Sequence, residues 1–394
     1  MKNRVGLVAS VILVLAAGLF FWNPMGWNPN GPLPLLSPPA FSRAANADAP
    51  PITNSFGTAA GLAKELSDET FQKMISEFSE PNGYFRYENF LSNESSYQDP
   101  IAELRKTAKP GGVYLGVGPE QNFTYIAAIR PQMAFIIDIR RQNLVELLMY
   151  KALFGLAKNR AEFVSLLFSR KPSTVLDENS TAAALFDAIA DAPPDAELFK
   201  ANLKRITDRL HLSRDDEKTL EYVYRVFFSI GPNLSYSSTS SNAPAGPSYA
   251  SLMMLTDWNR QNWSYLASED TFRFIKEMQR KNLIVPLVGD FAGVKAIRSV
   301  GRYLKDHNAT VSAFYLSNVE MYILPSAQWK SFCRNIADLP IDSSSTFIRF
   351  VLGSYTGWMS RRGAVSVISP MVDVLTGAAK GYPPSYYDLI HASH

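Results

Sequence analysis

The chain has 394 residues, 46% hydrophobic and 19% charged, which is enough for one large domain or two smaller ones with a substantial core. The formal net charge of +3, without a basic patch, excludes nucleic acid as a favoured partner. The single cysteine, Cys333, excludes an intrachain disulfide and a cysteine-based zinc site, and the four histidines show no metal-binding spacing.

The N-terminus carries the clearest targeting signal. Lys2 and Arg4 precede an uncharged apolar run at residues 5–22, which is close to the length that spans a bilayer. An A-x-A match at residues 45–47 lies too far beyond this run for ordinary signal cleavage. We therefore expect residues 1–22 to be a membrane anchor that holds the body in the cell envelope, outside the cytoplasm. A cleaved signal peptide, giving a periplasmic or secreted protein, is the alternative.

The segment after the apolar run has the composition of a linker. Residues 23–60 are rich in Pro, Asn, Ala and Gly, so the folded body is predicted over residues 61–394. Its first helix is predicted to follow a Ser67 cap and to place four apolar residues on one face, namely Phe71, Met74, Ile75 and Phe78. A second helix is predicted at residues 101–108.

Strands and helices then alternate along the chain. A strand, a helix and a second strand are predicted in turn, at residues 112–117, 119–129 and 133–138, with Pro119 as the first helical residue. The pattern from 141 to 280 is almost entirely helical. A Ser/Pro/Gly-rich segment within it, residues 231–248, is predicted to be an exposed or mobile loop.

Strands resume after residue 280. Three more are predicted, with helices between them, at residues 283–290, 310–319 and 345–352. This order predicts an α/β fold with a doubly wound, mainly parallel sheet. Residues 141–280 are then expected to be a large helical insertion between the second and third strands.

Open α/β sheets bind ligands at the carboxyl ends of their strands, so the residues that follow each strand are the first candidates for a site. The first strand ends in Gly116 and Gly118, which permit a tight turn, followed by Glu120 and Asn122. The second strand ends in Asp138, whose carboxylate is placed to accept hydrogen bonds from the hydroxyls of a ribose.

The later strands end in polar groups of a similar kind. Asp290 and Phe291 follow the third strand, where the acid would accept from an adenine amine and the ring would stack on the base. Asn318 and Glu320 follow the fourth strand, at the place where a transferred group would lie. The four strand ends together predict a ligand cleft.

Two further pairs of residues have both a functional and a structural interpretation. Asn93 and Glu94 would add polar groups to the cleft and contact the substrate, or they form a turn or helix cap. Arg140 and Arg141 would bind an anionic ligand, or they begin a helix on its solvated face.

Three segments, "YLGVGPEQNFTYIAAIRP", "LVGDFAG" and "AFYLSNVE", resemble class I S-adenosylmethionine-dependent methyltransferases, and more closely an uncharacterised bacterial family with a methyltransferase-like (Rossmann-like) fold. The resemblance covers residues 65–355 and includes "LSNESSY" at 91–97. It implies S-adenosylmethionine as cofactor, held by the glycine turn, Asp138 and Asp290, with Asn318 at the start of the catalytic motif.

The sequence departs from the methyltransferase pattern at several points. Tyr114 stands where an acid usually precedes the first glycine, and Glu120 stands where the third glycine is usual. The Pro-Pro-aromatic sequence that usually follows Asn318 is replaced. The chain after Leu352 looks too short for the antiparallel hairpin that usually closes such sheets.

These observations lead to three functional hypotheses. The first is a methyltransferase-like protein that binds S-adenosylmethionine or another nucleoside-like small molecule, with an unspecified acceptor. The alternative is a non-catalytic, envelope-anchored protein that keeps the fold and binds a ligand or a protein partner. A hydrolase is the third, in which acid–base groups are drawn from four carboxylates, Glu94, Asp138, Asp290 and Glu320.

Overall fold

The computed structural model describes residues 61–240, 242–324, 326–352 and 364–379, with side chains to residue 375. The predicted anchor at residues 1–22 and the predicted linker at 23–60 lie outside these ranges. Among the helices that are described, none has both the length and the apolar character needed to cross a bilayer.

A six-stranded, mainly parallel sheet forms the centre of the described part of the chain. Its strands are β1 (Val113–Gly116), β2 (Met133–Asp138), β3 (Ile284–Val288), β4 (Val311–Ser317), β5 (Thr346–Leu352) and β6 (Ala364–Pro370). They lie in the order β3-β2-β1-β4-β5-β6, and neighbouring strands are parallel except β5 and β6, which are antiparallel. This mixed sheet is consistent with a Rossmann-like fold, so the predicted α/β class is confirmed.

Helices precede and connect the strands. They are α1 (Asp68–Phe78), α2 (Ile101–Thr107), α3 (Gln121–Ile129), α4 (Arg141–Leu156), α5 (Arg160–Phe168), α6 (Ala182–Ala190), α7 (Ala196–Thr207), α8 (Arg214–Ile230), α9 (Tyr249–Met254), α10 (Glu269–Arg280), α11 (Ala296–Asp306), α12 (Glu320–Ile323), α13 (Gln328–Ala337) and α14 (Val372–Ala379). Helices α4 to α10 lie between β2 and β3 in the chain.

Local sequence signals explain where several elements begin. Ser67 accepts a hydrogen bond from the backbone N–H of Thr70 and so caps α1, as predicted, and the four apolar residues of that helix are buried. Strands β1, β2 and β3 are buried along their whole length. Burial on both faces is typical of parallel strands covered by helices, and it explains their continuous apolar sequences.

Three predictions about the elements require correction. The first helix after β1 begins at Gln121, so Pro119 belongs to the turn before it. The segment at 231–248 is not simply an exposed loop, because Leu234 is fully buried and a β-bridge joins Ser235 to Ser248. The chain after Leu352 does supply an antiparallel strand, since β6 pairs with β5 from Thr346 to Leu352.

Candidate functional site

The strand order reverses between β1 and β4, which are parallel neighbours at the centre of the sheet. Connections from these two strands leave in opposite directions, and a crevice for ligands opens beyond their carboxyl ends in folds of this kind. Gly116 lies opposite Tyr315 in this pairing. The turn after β1 and the residues after β4 are therefore the first places to look for a site.

The turn after β1 is filled by a side chain of the protein itself. Asn122 donates to the carbonyl oxygens of Val117 at 2.9 Å, Gly118 at 3.1 Å and Pro119 at 2.7 Å. Its Oδ1 accepts from the hydroxyl of Tyr114 at 2.8 Å. Tyr114, the departure from the methyltransferase pattern, thus holds Asn122 in the turn.

Both predicted glycines have a structural reason for being glycine. A Cβ on Gly116 would lie 1.9 Å from the Oδ1 atom of Asn122, so a side chain there would collide with the filled turn. Gly118 has a φ of +78°, in the region that other residues rarely adopt. The predicted cofactor residues Gly116, Gly118 and Asn122 come together as expected, but their contacts are with one another.

Two predicted site residues, Glu94 and Glu120, are buried carboxylic acids beside this turn. One oxygen of Glu94, Oε1, accepts from the hydroxyl of Tyr315 at 2.7 Å and from that of Ser317. Ser317 has a φ of 52°, which is a strained backbone conformation for a residue other than glycine. The strained residue is the one that donates to Glu94. Burial raises the pKa of Glu94 to about 7, although the Ser317 and Tyr315 hydroxyls oppose the shift.

Glu120 is more isolated than Glu94. Neither of its carboxylate oxygens has a hydrogen-bond partner among the described residues. Burial raises its pKa to about 8, and the nearby backbone amides of Glu120 and Ser92 only partly oppose the shift.

Glu146 on α4 extends this buried group. The Asn143 side chain donates to the carbonyl of Gly118 at 3.2 Å, which places α4 against the turn after β1. Glu146 lies one helical turn further along, and burial, followed by repulsion from Glu120, raises its pKa well above the usual value. Arg140 opposes the shift, and Asp138 adds to it.

We name this group the acceptor cluster and define it as Glu94, Glu120, Gln121, Asn143 and Glu146. Each member has at least one buried side-chain oxygen without a hydrogen-bond partner in the described part of the chain. Buried polar atoms usually have partners, and several unpaired acceptors in one place are costly. The cluster therefore holds protons at neutral pH, or it receives hydrogen-bond donors from a molecule that binds there.

At the end of β2, Asp138 is buried and is used to position an arginine. Its Oδ1 accepts from the backbone N–H of Arg140 at 2.9 Å and from the Nε of Arg140 at 3.3 Å. The Nη1 of Arg140 donates to the carbonyls of Tyr87, at 3.1 Å, and of Glu88. The Nη2 of Arg140 has no hydrogen-bond partner among the residues described.

At the end of β3, the predicted adenine-binding residues have different surroundings. Asp290 is half-buried, and burial raises its pKa, while the Ala292 amide, which donates to it at 2.8 Å, opposes the shift. The ring of Phe291 packs in the core, 5.0 Å from that of Phe314 between centroids. The expectation that this ring is presented to a base needs correction in this conformation, because core packing already occupies it.

The loop after β3 is also occupied by Glu80, which the sequence analysis did not single out. Its carboxylate accepts from the backbone amides of Asp290 at 3.1 Å, Lys295 at 2.7 Å and Ala296 at 3.0 Å. Glu80 follows α1 and gives no local signal of this role, because its partners lie more than 200 positions away.

At the end of β4, Asn318 is half-buried and Glu320 is fully buried. Glu320 forms a two-pronged ion pair with Arg349 on β5, with an Oε1–Nη2 distance of 3.0 Å. Arg349 also donates to Ser369 on β6. The Glu320 carboxylate is therefore committed to joining α12 to the sheet, which argues against the predicted catalytic role and against acid–base chemistry at this residue.

Asn93, predicted to contact a substrate, lies beneath the segment 231–248. A Cβ on Gly246 would come within 2.8 Å of the Asn93 Cβ, so the two backbones are close. Asn93 is half-buried as a result. The predicted polar pair thus separates, with Glu94 in the acceptor cluster and Asn93 under this segment.

An open cleft of about 680 Å³ lies at the carboxyl end of β2. It is bordered by residues 82–85, by Arg140, Arg141 and Gln142 at the start of α4, and by the first turns of α8. We name it the α4 cleft. Its lining does not include the glycine turn, Asp138, Asp290 or Asn318, so it is displaced from the position that the methyltransferase pattern implies.

The chain matches a family model described as a domain of unknown function, DUF7790, over residues 89–229 and 237–369. The chain belongs to this family. No curated protein matches it. The family match spans strands β1 to β5, the acceptor cluster and Arg140, so the buried polar groups described above lie within the family's domain.

Within the DUF7790 domain, Glu146 is a site residue that the sequence analysis missed. The sequence does contain a signal, because Glu146 is a single acid in the apolar run "LVELLMY" of a helix. Apolar residues surround this acid on every face of the helix, so it is expected to be buried whichever face packs against the core. Buried acids concentrate at functional sites. The proximity of Glu146 to Glu120 depends on how α4 packs against the turn after β1, which the local sequence does not specify.

Proposed function

We propose that this protein binds a nucleoside-like small molecule at the carboxyl edge of the sheet, and that S-adenosylmethionine is one compound of this class. The observation that carries the proposal is the open α4 cleft, which is lined by Arg140, a residue whose Nε donates to the buried Asp138 at the end of β2. One oxygen of Asp138 is used by Arg140, and no hydrogen bond to Oδ2 occurs in the described chain. That oxygen suits a ribose hydroxyl.

The sheet topology supports a methyltransferase-like framework. The reversal of strand order next to β1 and the antiparallel strand at the β5 edge both suit this class. Three contacts argue against methyl transfer itself. The turn after β1 is filled by Asn122, Phe291 packs in the core, and Glu320 is paired with Arg349.

Binding is therefore proposed ahead of catalysis. Catalysis would rest on proximity and alignment of an activated methyl group, with Asn318 beside the acceptor. The alternative is a non-catalytic member of the DUF7790 family that keeps the fold and binds a ligand or a partner. Turnover separates the two, because only the enzyme converts S-adenosylmethionine to S-adenosylhomocysteine.

The test is isothermal titration of the full-length protein with S-adenosylmethionine, S-adenosylhomocysteine and adenosine. We expect binding of at least one of them, and loss of that binding in Asp138→Asn, which keeps the shape of the side chain. Asp187→Asn, at an exposed position on α6, is the matched control and should bind normally. The absence of binding by all three compounds at millimolar concentration would overturn the proposal.

We also propose that the N-terminal segment anchors the protein with its body outside the cytoplasm, as its charge pattern indicates. A reporter active only outside the cytoplasm, fused after Ala60, should be active. A reporter active only inside the cell, fused at the same point, should be silent. The opposite result would contradict this location and would place the body where S-adenosylmethionine is made.

A further inference from the structure

A second pocket, of about 810 Å³, lies beside the C-terminal end of α3. It is bordered by the ends of α2 and α3, by residues 178–182 and 261–263, and by the first turn of α10. We name it the α10 pocket. It shares no lining residue with the α4 cleft, and its volume is within the range of small-molecule sites.

Small side chains form one wall of the α10 pocket. Ala108 at the end of α2, Ala127 and Ala128 on α3, and Ala267 before α10 all belong to its lining. Because none of these side chains projects beyond a single methyl group, a flat molecule can lie against the wall and make close van der Waals contacts.

Two arginines border the pocket, and each stacks on an aromatic ring. The guanidinium of Arg105 lies 5.0 Å from the ring centroid of Trp263, and that of Arg130 lies 5.0 Å from the ring centroid of Phe274. Arg130 is paired with Asp270. Arg105 is exposed, and no acid among the described residues pairs with it. The two arginines are therefore held alike, but Arg105 keeps its charge and its N–H groups for a ligand.

The ring beneath Arg105 is fixed in position. The Nε1 of Trp263 donates to Asp257 at 2.9 Å, and its backbone N–H donates to the side chain of Gln98 at 2.6 Å. Stacking on a fixed ring restricts the guanidinium but leaves the N–H groups at its edge directed outward in its plane. Such a guanidinium is prepared to form two parallel hydrogen bonds to a carboxylate.

The charges of the lining favour a ligand with a single negative charge. Arg160 is buried and paired with Glu269, and Glu178 is paired with Arg273. With Arg130 also paired, one positive charge, that of Arg105, is left over. A carboxylate matches this single charge, whereas a phosphate dianion would exceed it.

The rim of the pocket carries neutral polar side chains. Asn179 and Gln261 are both exposed there, and the side-chain amide of Asn179 makes no hydrogen bond within the described part of the chain. Gln261 donates to the carbonyl of Asn262 at 2.9 Å and has a second N–H to offer. An amide both donates and accepts, as a hydroxyl does, so this rim suits a molecule with several hydroxyl groups.

We propose that the α10 pocket binds an acidic saccharide. The carboxylate of a hexuronic acid unit lies on Arg105, the flat face of the sugar lies on the alanine wall beside Trp263, and its hydroxyls reach Asn179 and Gln261. A sugar ring of this kind combines the three features that the lining requires, namely one negative charge, an apolar face and several hydroxyls. This inference goes beyond the nucleoside proposal and does not depend on it.

The experiment is isothermal titration of the full-length protein with the trisaccharides of glucuronic, galacturonic and mannuronic acid, with their neutral hexose counterparts, and with acetate. We expect at least one acidic trisaccharide to bind at least about tenfold more tightly than its neutral counterpart, since a hydrogen-bonded charge contributes that much. Arg105→Gln, at an exposed position, should weaken this binding by about tenfold or more without lowering Tm. Ala128→Leu, which fills the pocket from a half-buried helical position, should also weaken it.

Lys106→Gln is the matched control, because Lys106 is the next residue on α2, is exposed and does not line the pocket. It should bind the acidic trisaccharide as the wild-type protein does, and an equal loss in Lys106→Gln and Arg105→Gln would contradict a specific site. Failure of all three acidic trisaccharides to bind at millimolar concentration, or unchanged binding in Arg105→Gln, would overturn the inference. Acetate binding as tightly as the trisaccharides would contradict a saccharide ligand. Adenosine and S-adenosylmethionine should bind Ala128→Leu and the wild-type protein alike, which separates this inference from the proposed function.

Discussion

Glu120 allows a direct test of the acceptor cluster through the pH dependence of folding. It is completely buried, and both of its carboxylate oxygens lack partners within the described residues. The change Glu120→Gln keeps the size of the side chain and removes the ionisable group. The difference between the two proteins therefore measures what it costs to ionise this one residue inside the fold.

The magnitude follows from the pKa of Glu120, which burial raises from 4.5 to about 8. Because the folded-state pKa lies above the unfolded one, the folded protein holds the proton more tightly between these values, and the free energy of unfolding falls as pH rises. One pKa unit corresponds to about 1.4 kcal/mol. The raised pKa of Glu120 thus lowers the free energy of unfolding by about 1 kcal/mol at pH 5, about 3 kcal/mol at pH 7 and about 5 kcal/mol at pH 9.

The assay is urea denaturation followed by circular dichroism at these three pH values. Relative to the wild-type protein, Glu120→Gln should gain about 4 kcal/mol of unfolding free energy between pH 5 and pH 9. Glu103→Gln is the control, because Glu103 is an exposed residue on α2 and should not show this change. A pH course of Glu120→Gln parallel to that of the wild-type protein would refute the reasoning, because it would mean that folding leaves the pKa of Glu120 near its usual value.

Three further predictions concern stability, each checked by chemical denaturation at neutral pH. Gly118→Ala should destabilise by about 1–2 kcal/mol because its φ is positive, whereas Gly155→Ala, within α4, should be neutral or stabilising; equal losses would contradict this. Arg349→Met should cost about 3–5 kcal/mol by leaving Glu320 unpaired, and adding Glu320→Leu should recover much of the loss; no recovery would argue against the ion pair. Phe291→Ala should cost about 3–5 kcal/mol, and a loss below about 1 kcal/mol would indicate an accessible ring.

The element pattern could be predicted well from the sequence because its signals are local. Strand β2 begins and ends at the predicted residues, Met133 and Asp138, and Ser67 caps α1 as expected. Alternation of apolar runs with amphipathic segments was enough to predict a mainly parallel α/β sheet. Strand β6 was missed, because seven residues of half-buried pattern give no clear periodicity until they pair with β5.

The predicted site residues show where local signals stop. The sequence by itself determined which polar groups follow each strand, since Gly116, Asp138 and Asp290 come directly after apolar runs. Only the tertiary structure decided how they are used. Phe291 packs in the core and Glu320 is paired with Arg349, while Glu120 and Glu146 meet because α4 packs on the turn after β1. The physical reason is that a side chain's partners are set by long-range packing, whereas its place at a strand end is set by its neighbours in the chain.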